Sequence, residues 1–247
     1  MMLKLIGCKV FMRELYLVCA HSKHVVDIIW MDVKLHENPA NLKAALQKKI
    51  DEIENNENEA CDGILLGFGL CSMGIVGLKT RRYPLIVPRA HDCITVLLGS
   101  SERYRELFDE YDGGIYWYSP GWIEQMKTPG RNNDEKSKYL MYVEKYGEDN
   151  AQYLMEVEGT WTENYTCAAL IRWPEFSENI LYETATRAAA EKNKLSYTEF
   201  EGRSTMLSKL VNGEWDEDFL ILNPGQRLAY SGDERIICAA PTAEEHV

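Results

Sequence analysis

The chain has 247 residues, of which 45% are hydrophobic and 27% are charged, and its formal net charge is -12 at pH 7. These fractions are close to the averages for globular proteins, which argues against a disordered or fibrous chain. The negative charge opposes binding to phosphate backbones, and no apolar run approaches the roughly 20 residues of a membrane-spanning helix, so we expect neither a nucleic-acid nor a membrane partner.

In the first half of the chain, apolar runs alternate with segments that have helical spacing. Strands are predicted at Leu3–Gly7, Val25–Val33, Asp62–Leu66, Tyr83–Pro88 and Ile115–Tyr118. Helices are predicted at Val10–Cys19, at a segment that begins with Asn38 as N-cap and Pro39 in the first turn, and at Ile94–Tyr111. This alternation predicts an α/β protein with a Rossmann-like parallel sheet flanked by helices.

The second half begins with a predicted loop at 128–133 that contains proline and glycine, and a helix at Glu135–Tyr146 is the predicted connector between two lobes. Strands and helices then alternate again. Further strands are predicted at Tyr165–Trp173, Leu195–Phe200 and Phe219–Leu222, and helices at Ser177–Lys192 and Ser204–Val211. We therefore predict an N-terminal α/β lobe over residues 1–127, a second, smaller α/β lobe over 128–240, and a disordered tail over 241–247.

Cysteine usage and the N-terminal residues bear on the compartment. The charged residues Lys4, Lys9 and Arg13 interrupt the N-terminal segment, so it lacks the uninterrupted apolar core of about 7–15 residues found in a secretory signal. This favours a cytoplasmic protein. The seven cysteines include no Cys-x-x-Cys pair. An odd number of cysteines without an export signal favours reduced thiols, a metal site or catalysis over a disulfide framework.

Four candidate metal ligands, Cys8, Cys71, His91 and Cys93, follow three of the predicted strands. Because the carboxyl ends of parallel strands share one edge of the sheet, these side chains are expected to converge there. Three thiolates and one imidazole suit tetrahedral zinc or an iron–sulfur cluster, and three ligands with an open position would let a small-molecule substrate bind the metal. The simpler alternatives are that Cys8 is a small buried hydrophobic residue and that Cys71 fills a gap in a tight turn.

Several neighbours of these residues are candidates for supporting roles. Gly67, Gly69 and Gly74 surround Cys71 and are candidates for holding a bound group, because glycine permits positive φ and close backbone approach. Their spacing departs from both the dinucleotide and the P-loop motifs. Arg89, Asp92 and His36 are the candidate catalytic residues: Arg89 to hold an anion, Asp92 to orient His91, and His36 to face the same cleft. The simpler alternative is an ion pair between Arg89 and Asp92.

The combined pattern resembles a known family, DUF1638. The resemblance rests on Cys8 with Arg13-Glu14, Leu35-His36-x-x-Pro39, Gly67-x-Gly69-Leu70-Cys71-x-x-Gly74, Pro88-Arg89-x-His91-Asp92-Cys93, Pro120-Gly121-Trp122, Glu201-Gly202-Arg203 and Gly213-x-Trp215-Asp216. Ser72 departs from the glycine expected there. The family is a domain of unknown function in anaerobic archaea and bacteria, often encoded near corrinoid-dependent methyltransferases. The resemblance thus implies a role in anaerobic one-carbon metabolism, with a corrinoid or methyltransferase protein as partner.

Three functions remain open from the sequence. The first is a metal-binding protein, catalytic or not, that holds zinc or an iron–sulfur cluster. The second is a metal-free enzyme in which Cys71 or Cys93 is the nucleophile and His91 the base, acting on a small acyl or amide substrate. The third is a non-enzymatic accessory protein of a methyltransferase system. The Asp-x-His-x-x-Gly motif of cobalamin-binding domains is absent from the chain.

Overall fold

The computed structural model describes residues 1–126, 135–159, 164–176 and 180–242. The chain forms two compact units, one comprising Met1–Tyr104 with Gly202–Val247 and the other comprising Arg105–Glu201. The strands are β1 (Met2–Cys8), β2 (Val25–Met31), β3 (Gly63–Gly67), β4 (Leu85–Pro88), β5 (Ile115–Tyr118), β6 (Cys167–Arg172), β7 (Ser196–Glu201), β8 (Phe219–Leu222), β9 (Gln226–Tyr230) and β10 (Ile237–Pro241). The helices are α1 (Met12–Ala20), α2 (Pro39–Asn55), α3 (Cys93–Leu98), α4 (Ser101–Glu110), α5 (Pro120–Met126), α6 (Glu135–Tyr146), α7 (Glu148–Gly159), α8 (Ile180–Lys192) and α9 (Thr205–Asn212).

The first unit is built on a five-stranded sheet in the order β2-β1-β3-β4-β8. The first four strands run parallel, and β8 pairs antiparallel with β4. Every residue of β3 and β4 is buried, as expected for central parallel strands covered by helices on both faces. This confirms the predicted α/β class and the helix-flanked parallel sheet.

The predicted start of α2 is confirmed in atomic detail. The Asn38 side chain accepts hydrogen bonds from the amides of Ala40 and Asn41 at 3.0 and 3.2 Å, and Pro39 occupies the first helical position. The apolar stripe of this helix, which includes the fully buried Leu42, Leu46 and Ile50, packs into the core. Capping and periodicity therefore fix the helix that supports the loop after β3.

The second unit contains a three-stranded parallel sheet in the order β5-β6-β7. Ile123 of α5, Leu170 of β6 and Tyr182 of α8 form a buried cluster in this unit. The Tyr182 hydroxyl donates to Glu124 Oε1 at 2.5 Å. The predicted second α/β lobe is thus present, with its sheet made from strands that are consecutive along the chain.

The division of the chain differs from the predicted boundary at residue 127. The strand at 115–118 pairs with β6 in the second unit, whereas the strand at 219–222 returns to the first unit and pairs with β4. Short apolar runs identify strands but not their partners, which explains both differences. The predicted loop at 128–133 lies outside the described residues.

Two further local predictions were wrong. The helix predicted over Ile94–Tyr111 is two helices, since Gly99 ends α3 in a left-handed conformation with φ 76°. The predicted disordered tail starts too early, since Pro241 is the last residue of β10, which pairs antiparallel with β9. Residues 243–247 of the predicted tail lie outside the described residues. Within the described parts of the chain, no helix is both long enough and apolar enough to cross a membrane.

Candidate functional site

The candidate site lies at the carboxyl edge of the five-stranded sheet. Gly7 of β1 is in register with Gly67 of β3, and β3 and β4 run parallel beside it. Cys8 is the last residue of β1, Cys71 lies in the loop after β3, and Cys93 begins the helix that follows β4. Parallel pairing therefore brings all three cysteines to the same edge, as the sequence predicted.

The loops after β3 and β4 are joined by backbone hydrogen bonds. The Leu70 amide donates to the Ala90 carbonyl at 2.8 Å, and the Cys71 amide donates to the His91 carbonyl at 3.0 Å. Gly69, in the loop after β3, packs directly against the backbone of Asp92, in the loop after β4. A β-carbon at Gly69 would stand 2.8 Å from the backbone N, Cα and C of Asp92. The backbone pairing of β3 with β4 thus continues into the loops that follow them, and Cys71 is held beside the segment that carries Cys93.

Three consecutive residues that are not glycine, Cys71, Ser72 and Met73, have left-handed backbone angles, with φ of 45°, 54° and 71°. The Gly74 amide closes this turn by donating to the Cys71 carbonyl at 3.0 Å. A left-handed conformation costs roughly 1–2 kcal/mol per L-residue. Strain of this kind persists only where the surrounding structure enforces it, and it is concentrated at functional sites.

The three glycines predicted to hold a bound group have packing roles here. None of Gly67, Gly69 and Gly74 has positive φ, contrary to the expected use of their conformational freedom. A β-carbon would stand 3.3 Å from Gly7 Cα at Gly67, and 2.6 Å from Leu42 Cδ2 at Gly74. Close approach of neighbouring segments thus requires these glycines, and their role in binding a cofactor stays a prediction.

The three thiols are close enough to influence one another electrostatically. Burial, followed by the Cys8 thiol and the Asp92 carboxylate, raises the pKa of Cys71 to about 12. Burial, followed by Asp92, Cys71 and Cys8, raises the pKa of the Cys93 thiol well above its ordinary value. Without a cation nearby, both thiols are therefore neutral at pH 7.

The thiols do not form a ready-made ligand set in this structure. Among the described residues, no three side chains of the types His, Cys, Asp or Glu are arranged so that they could hold a metal ion. Cys8 is 7% exposed, and Cys71 and Cys93 are half-buried. The cysteines therefore form a cluster of neutral thiols at the edge of the sheet.

His91 and Asp92 differ in their surroundings although they are adjacent in sequence. His91 is exposed, and its carbonyl accepts from the Cys71 amide. The Asp92 side chain is the N-cap of α3, and its Oδ1 accepts from Thr95 N at 3.0 Å and from Thr95 Oγ1 at 3.1 Å. Helix α3 begins at Cys93, so His91 and Cys93 do not lie in one extended segment.

Arg89 bonds to the backbone of the hairpin formed by β9 and β10. Its Nη1 donates to the carbonyl of Arg235 at 2.8 Å and to the carbonyl of Ile237. The alternative ion pair between Arg89 and Asp92 is wrong, because Arg89 bonds to these carbonyls and the charged groups that act on it are Arg235, Cys238 and Asp233. His36 lies exposed in a single 3₁₀ turn after β2, at the same edge of the sheet.

Glu14, an acidic residue in the first turn of α1, was not among the candidate site residues predicted from the sequence. Its exposure is 0%. Fully buried glutamates are rare in proteins, so Glu14 belongs among the residues of interest near the site. Its signal in the sequence is an acidic residue on the apolar face of a helix, four positions after Val10 and four positions before Val18. The left-handed turn at 71–73 has no such signal, because none of its residues is glycine or asparagine.

A family model described as "Protein of unknown function (DUF1638)" matches residues 30–211, which is more than half of the chain. The chain belongs to the DUF1638 family. The matched range contains Cys71, His91 and Cys93, whereas Cys8 precedes it. No curated protein and no solved structure matches the chain, so membership of DUF1638 identifies the family without assigning it an activity.

Proposed function

We propose that this DUF1638 protein binds a thiophilic metal centre, either zinc or an iron–sulfur cluster, through Cys8, Cys71 and Cys93, with or without His91. The observation that carries the proposal is that three cysteines, from three separate strand ends, lie at one edge of the sheet within electrostatic reach of one another. Thiolate sulfur is the preferred ligand of iron–sulfur clusters and a common ligand of zinc.

The surroundings of the thiols favour a metal over a cysteine nucleophile. A nucleophilic cysteine requires a lowered thiol pKa, which usually comes from a nearby cation or from exposure to backbone donors. Here burial and the neighbouring acidic groups act in the opposite direction on Cys71 and Cys93. A metal cation would supply the missing positive charge, because metal binding displaces the thiol protons.

If three protein ligands hold the ion and a fourth position stays open, a small thiol or methyl-group substrate could bind it directly. If four protein ligands hold it, the centre is structural or transfers electrons. The setting we propose, anaerobic one-carbon or corrinoid-linked methyl metabolism with a methyltransferase partner, rests on the resemblance of the sequence motifs alone.

The test is metal and acid-labile sulfide analysis, with a visible spectrum, on protein purified without oxygen. The variants are Cys71→Ser and Cys93→Ser, and the matched control is Cys61→Ser. Cys61 is a good control because its Sγ donates to the Gly63 carbonyl at 3.5 Å, a bond that serine can also make. We expect about one zinc ion or one cluster per chain in the wild type and the control, and loss of it in both test variants.

Wild-type protein without metal or sulfide would overturn the proposal. The cysteine-nucleophile alternative would then be tested by alkylation of the metal-free protein. That alternative predicts fast, stoichiometric modification of one of Cys71 and Cys93 at pH 7.

A further inference from the structure

Strand β2 forms one outer edge of the five-stranded sheet. In the order β2-β1-β3-β4-β8 it is a terminal strand, and among the described strands it pairs with β1 alone. The strand at the other end, β8, contacts the hairpin formed by β9 and β10. Within the described residues, β2 is therefore the open edge of this sheet.

Alternate residues of β2 direct their backbone groups away from the sheet. The Val25 amide donates to the Met1 carbonyl at 3.1 Å, so Val25 and every second residue after it bond toward β1. The amides and carbonyls of Val26, Ile28 and Trp30 consequently point outward. Among the described residues, no other backbone or side chain bonds to these outward groups.

This edge lacks the features by which proteins usually prevent edge strands from pairing, which are proline, lysine, bulges or a short length. Strand β2 has seven residues, contains no proline, lysine or arginine, and stays in continuous register with β1. Its one charged residue, Asp27, bonds to Lys4 Nζ of the neighbouring strand at 2.8 Å. A long apolar edge of this kind is a template for a further strand.

The side chains along the edge are apolar and only partly covered. From Val25 to Trp30 no residue is buried, whereas every residue of the central strand β3 is buried. The Trp30 ring packs edge-on against the ring of Tyr16 in α1, with 5.2 Å between the centroids. Tyr16 is itself 55% exposed, and Val25 is 58% exposed. A strand added here would therefore cover apolar side chains as well as unpaired backbone groups.

We propose that β2 pairs antiparallel with β2 of a second copy of the chain, about a two-fold axis at Ile28, so that two five-stranded sheets become one sheet of ten strands. Because the outward residues are symmetric about Ile28, Val26 lies opposite Trp30 of the second copy and Ile28 lies opposite itself. Directly opposed residues of this type exchange both backbone bonds. All the outward amides and carbonyls of both chains are then satisfied.

Symmetry excludes the parallel arrangement of the same two edges. In a parallel pair, a residue bonds to the two neighbours of the residue opposite it. Two identical edges in equal register would instead place outward groups directly opposite each other. Closed two-fold dimers that use the same patch on both subunits are also the commonest oligomers.

The charge of the chain favours this edge for self-association. The formal net charge is -12, so two copies repel each other in general. Strand β2 carries one charge, on Asp27, and Lys4 neutralises it. In the proposed register Asp27 lies opposite the apolar Ile29 of the second copy. The inference is independent of the metal centre proposed above.

The experiment is sedimentation velocity over a concentration series for the wild type, Ile28→Lys, Ile28→Glu and an equimolar mixture of the two variants. Because residue 28 lies opposite itself at the axis, either substitution alone sets like charges against each other, whereas the mixture sets opposite charges together. Ile221→Lys is the matched control, since Ile221 is a 41% exposed residue of β8 at the other edge of the sheet. Thermal unfolding checks that each variant folds.

We expect the wild type and Ile221→Lys to be dimers. Each Ile28 variant alone should have a dissociation constant at least about tenfold higher, and the equimolar mixture should recover the dimer. Hydrogen exchange of the wild type should show protected amides at Val26, Ile28 and Trp30. This last measurement needs no variant, so it tests the pairing even if a charge at position 28 prevents folding.

A wild type that stays monomeric up to roughly 100 μM, where even weak complexes form, would overturn the proposal. A dimer that Ile28→Lys does not weaken would also overturn it, since the contact would then lie elsewhere on the chain. Folded Ile28 variants that stay monomeric when mixed, or rapid exchange of the three outward amides in the wild type, would overturn the two-fold pairing at Ile28.

Discussion

The Cys71 amide donates a hydrogen bond to the His91 carbonyl at 3.0 Å, and this bond continues the pairing of β3 with β4 into the two loops that carry the candidate site. Together with the bond from the Leu70 amide to the Ala90 carbonyl, it ties the loop that carries Cys71 to the loop that leads to Cys93. The strained turn at 71–73 is thereby held next to the segment that leads into α3. The site therefore depends on how closely the two loops approach.

The close approach at Gly69 gives the first prediction. A methyl group at this position would stand 2.8 Å from three backbone atoms of Asp92, which cannot move aside as a flexible side chain could. We expect Gly69→Ala to lower the free energy of unfolding by roughly 1–3 kcal/mol, the usual cost of overpacking. Urea unfolding measures this value.

Gly63→Ala is the matched control for this substitution. Gly63 is buried in β3, but a β-carbon there would meet its nearest neighbour, Ile86 Cδ1, at an ordinary distance of 3.5 Å. Equal losses of stability in Gly63→Ala and Gly69→Ala would show that the contact with Asp92 is not what makes glycine necessary.

The second prediction concerns Arg89, which the sequence favoured as an anion-binding residue and the structure shows bonded to the carbonyls of Arg235 and Ile237. Hydrogen bonds with a charged partner contribute about 1.5–3 kcal/mol, so we expect Arg89→Ala to destabilise the protein by an amount in that range. Hydrogen exchange should show faster opening of the hairpin formed by β9 and β10.

Arg235→Ala serves as the comparison, because the Arg235 side chain is 67% exposed and pairs with Asp233 on the surface. Its loss should leave the free energy of unfolding nearly unchanged, because exposed ion pairs contribute little. Hairpin amides that exchange at the wild-type rate in Arg89→Ala would contradict the structural role of Arg89.

The sequence predicted the strands of the first sheet well, because each of them is a compact apolar run bounded by turn residues. It could not predict that Phe219–Leu222 joins β4 from a distant part of the chain, since a four-residue apolar run carries no information about its partner. It placed the three cysteines correctly at strand ends. It did not predict the capping role of Asp92 or the left-handed turn at Cys71, because both arise from tertiary packing around residues with no distinctive local signal.

Glu54 gives the third prediction, which concerns a buried carboxylate away from the site. It is 5% exposed, and its Oε1 accepts from Thr80 Oγ1 at 2.6 Å and from the amides of Arg81 and Arg82 at 2.7 and 2.8 Å. Burial acts to raise the pKa of Glu54, but the hydrogen bonds from Thr80, Arg82 and Arg81 together outweigh it and lower the pKa below its ordinary value. The folded state therefore favours the charged form.

A lowered pKa in the folded state means that the stabilisation is present above the pKa of the unfolded chain, about 4.3, and is lost as the pH falls through the folded value. We expect Glu54→Gln to lower the free energy of unfolding by roughly 2 kcal/mol at pH 7. The difference from the wild type should shrink in acid. Glu52→Gln, which removes an exposed carboxylate paired with Lys49, should have little effect at either pH.

The last prediction follows from the neutral thiol of Cys71 in the metal-free protein. Its pKa is raised to about 12, with burial as the largest cause, whereas a cysteine in the unfolded chain titrates near 8.5. The unfolded state thus loses its proton first as the pH rises. The contribution of Cys71 to stability is complete below about pH 8.5 and is lost as the pH rises toward the folded pKa.

Above pH 8.5, one such thiol lowers the free energy of unfolding by about 1.4 kcal/mol per pH unit. We expect urea unfolding between pH 8 and pH 10, roughly spanning the unfolded thiol pKa, to show a shallower decline for Cys71→Ala than for the wild type. Ser72→Ala changes the exposed neighbour in the same strained turn and keeps the thiol, so it should follow the wild-type slope. Identical slopes in the wild type and Cys71→Ala would mean that the Cys71 thiol is accessible to water in solution, and the case for a buried cluster of neutral thiols at this edge of the sheet would fail.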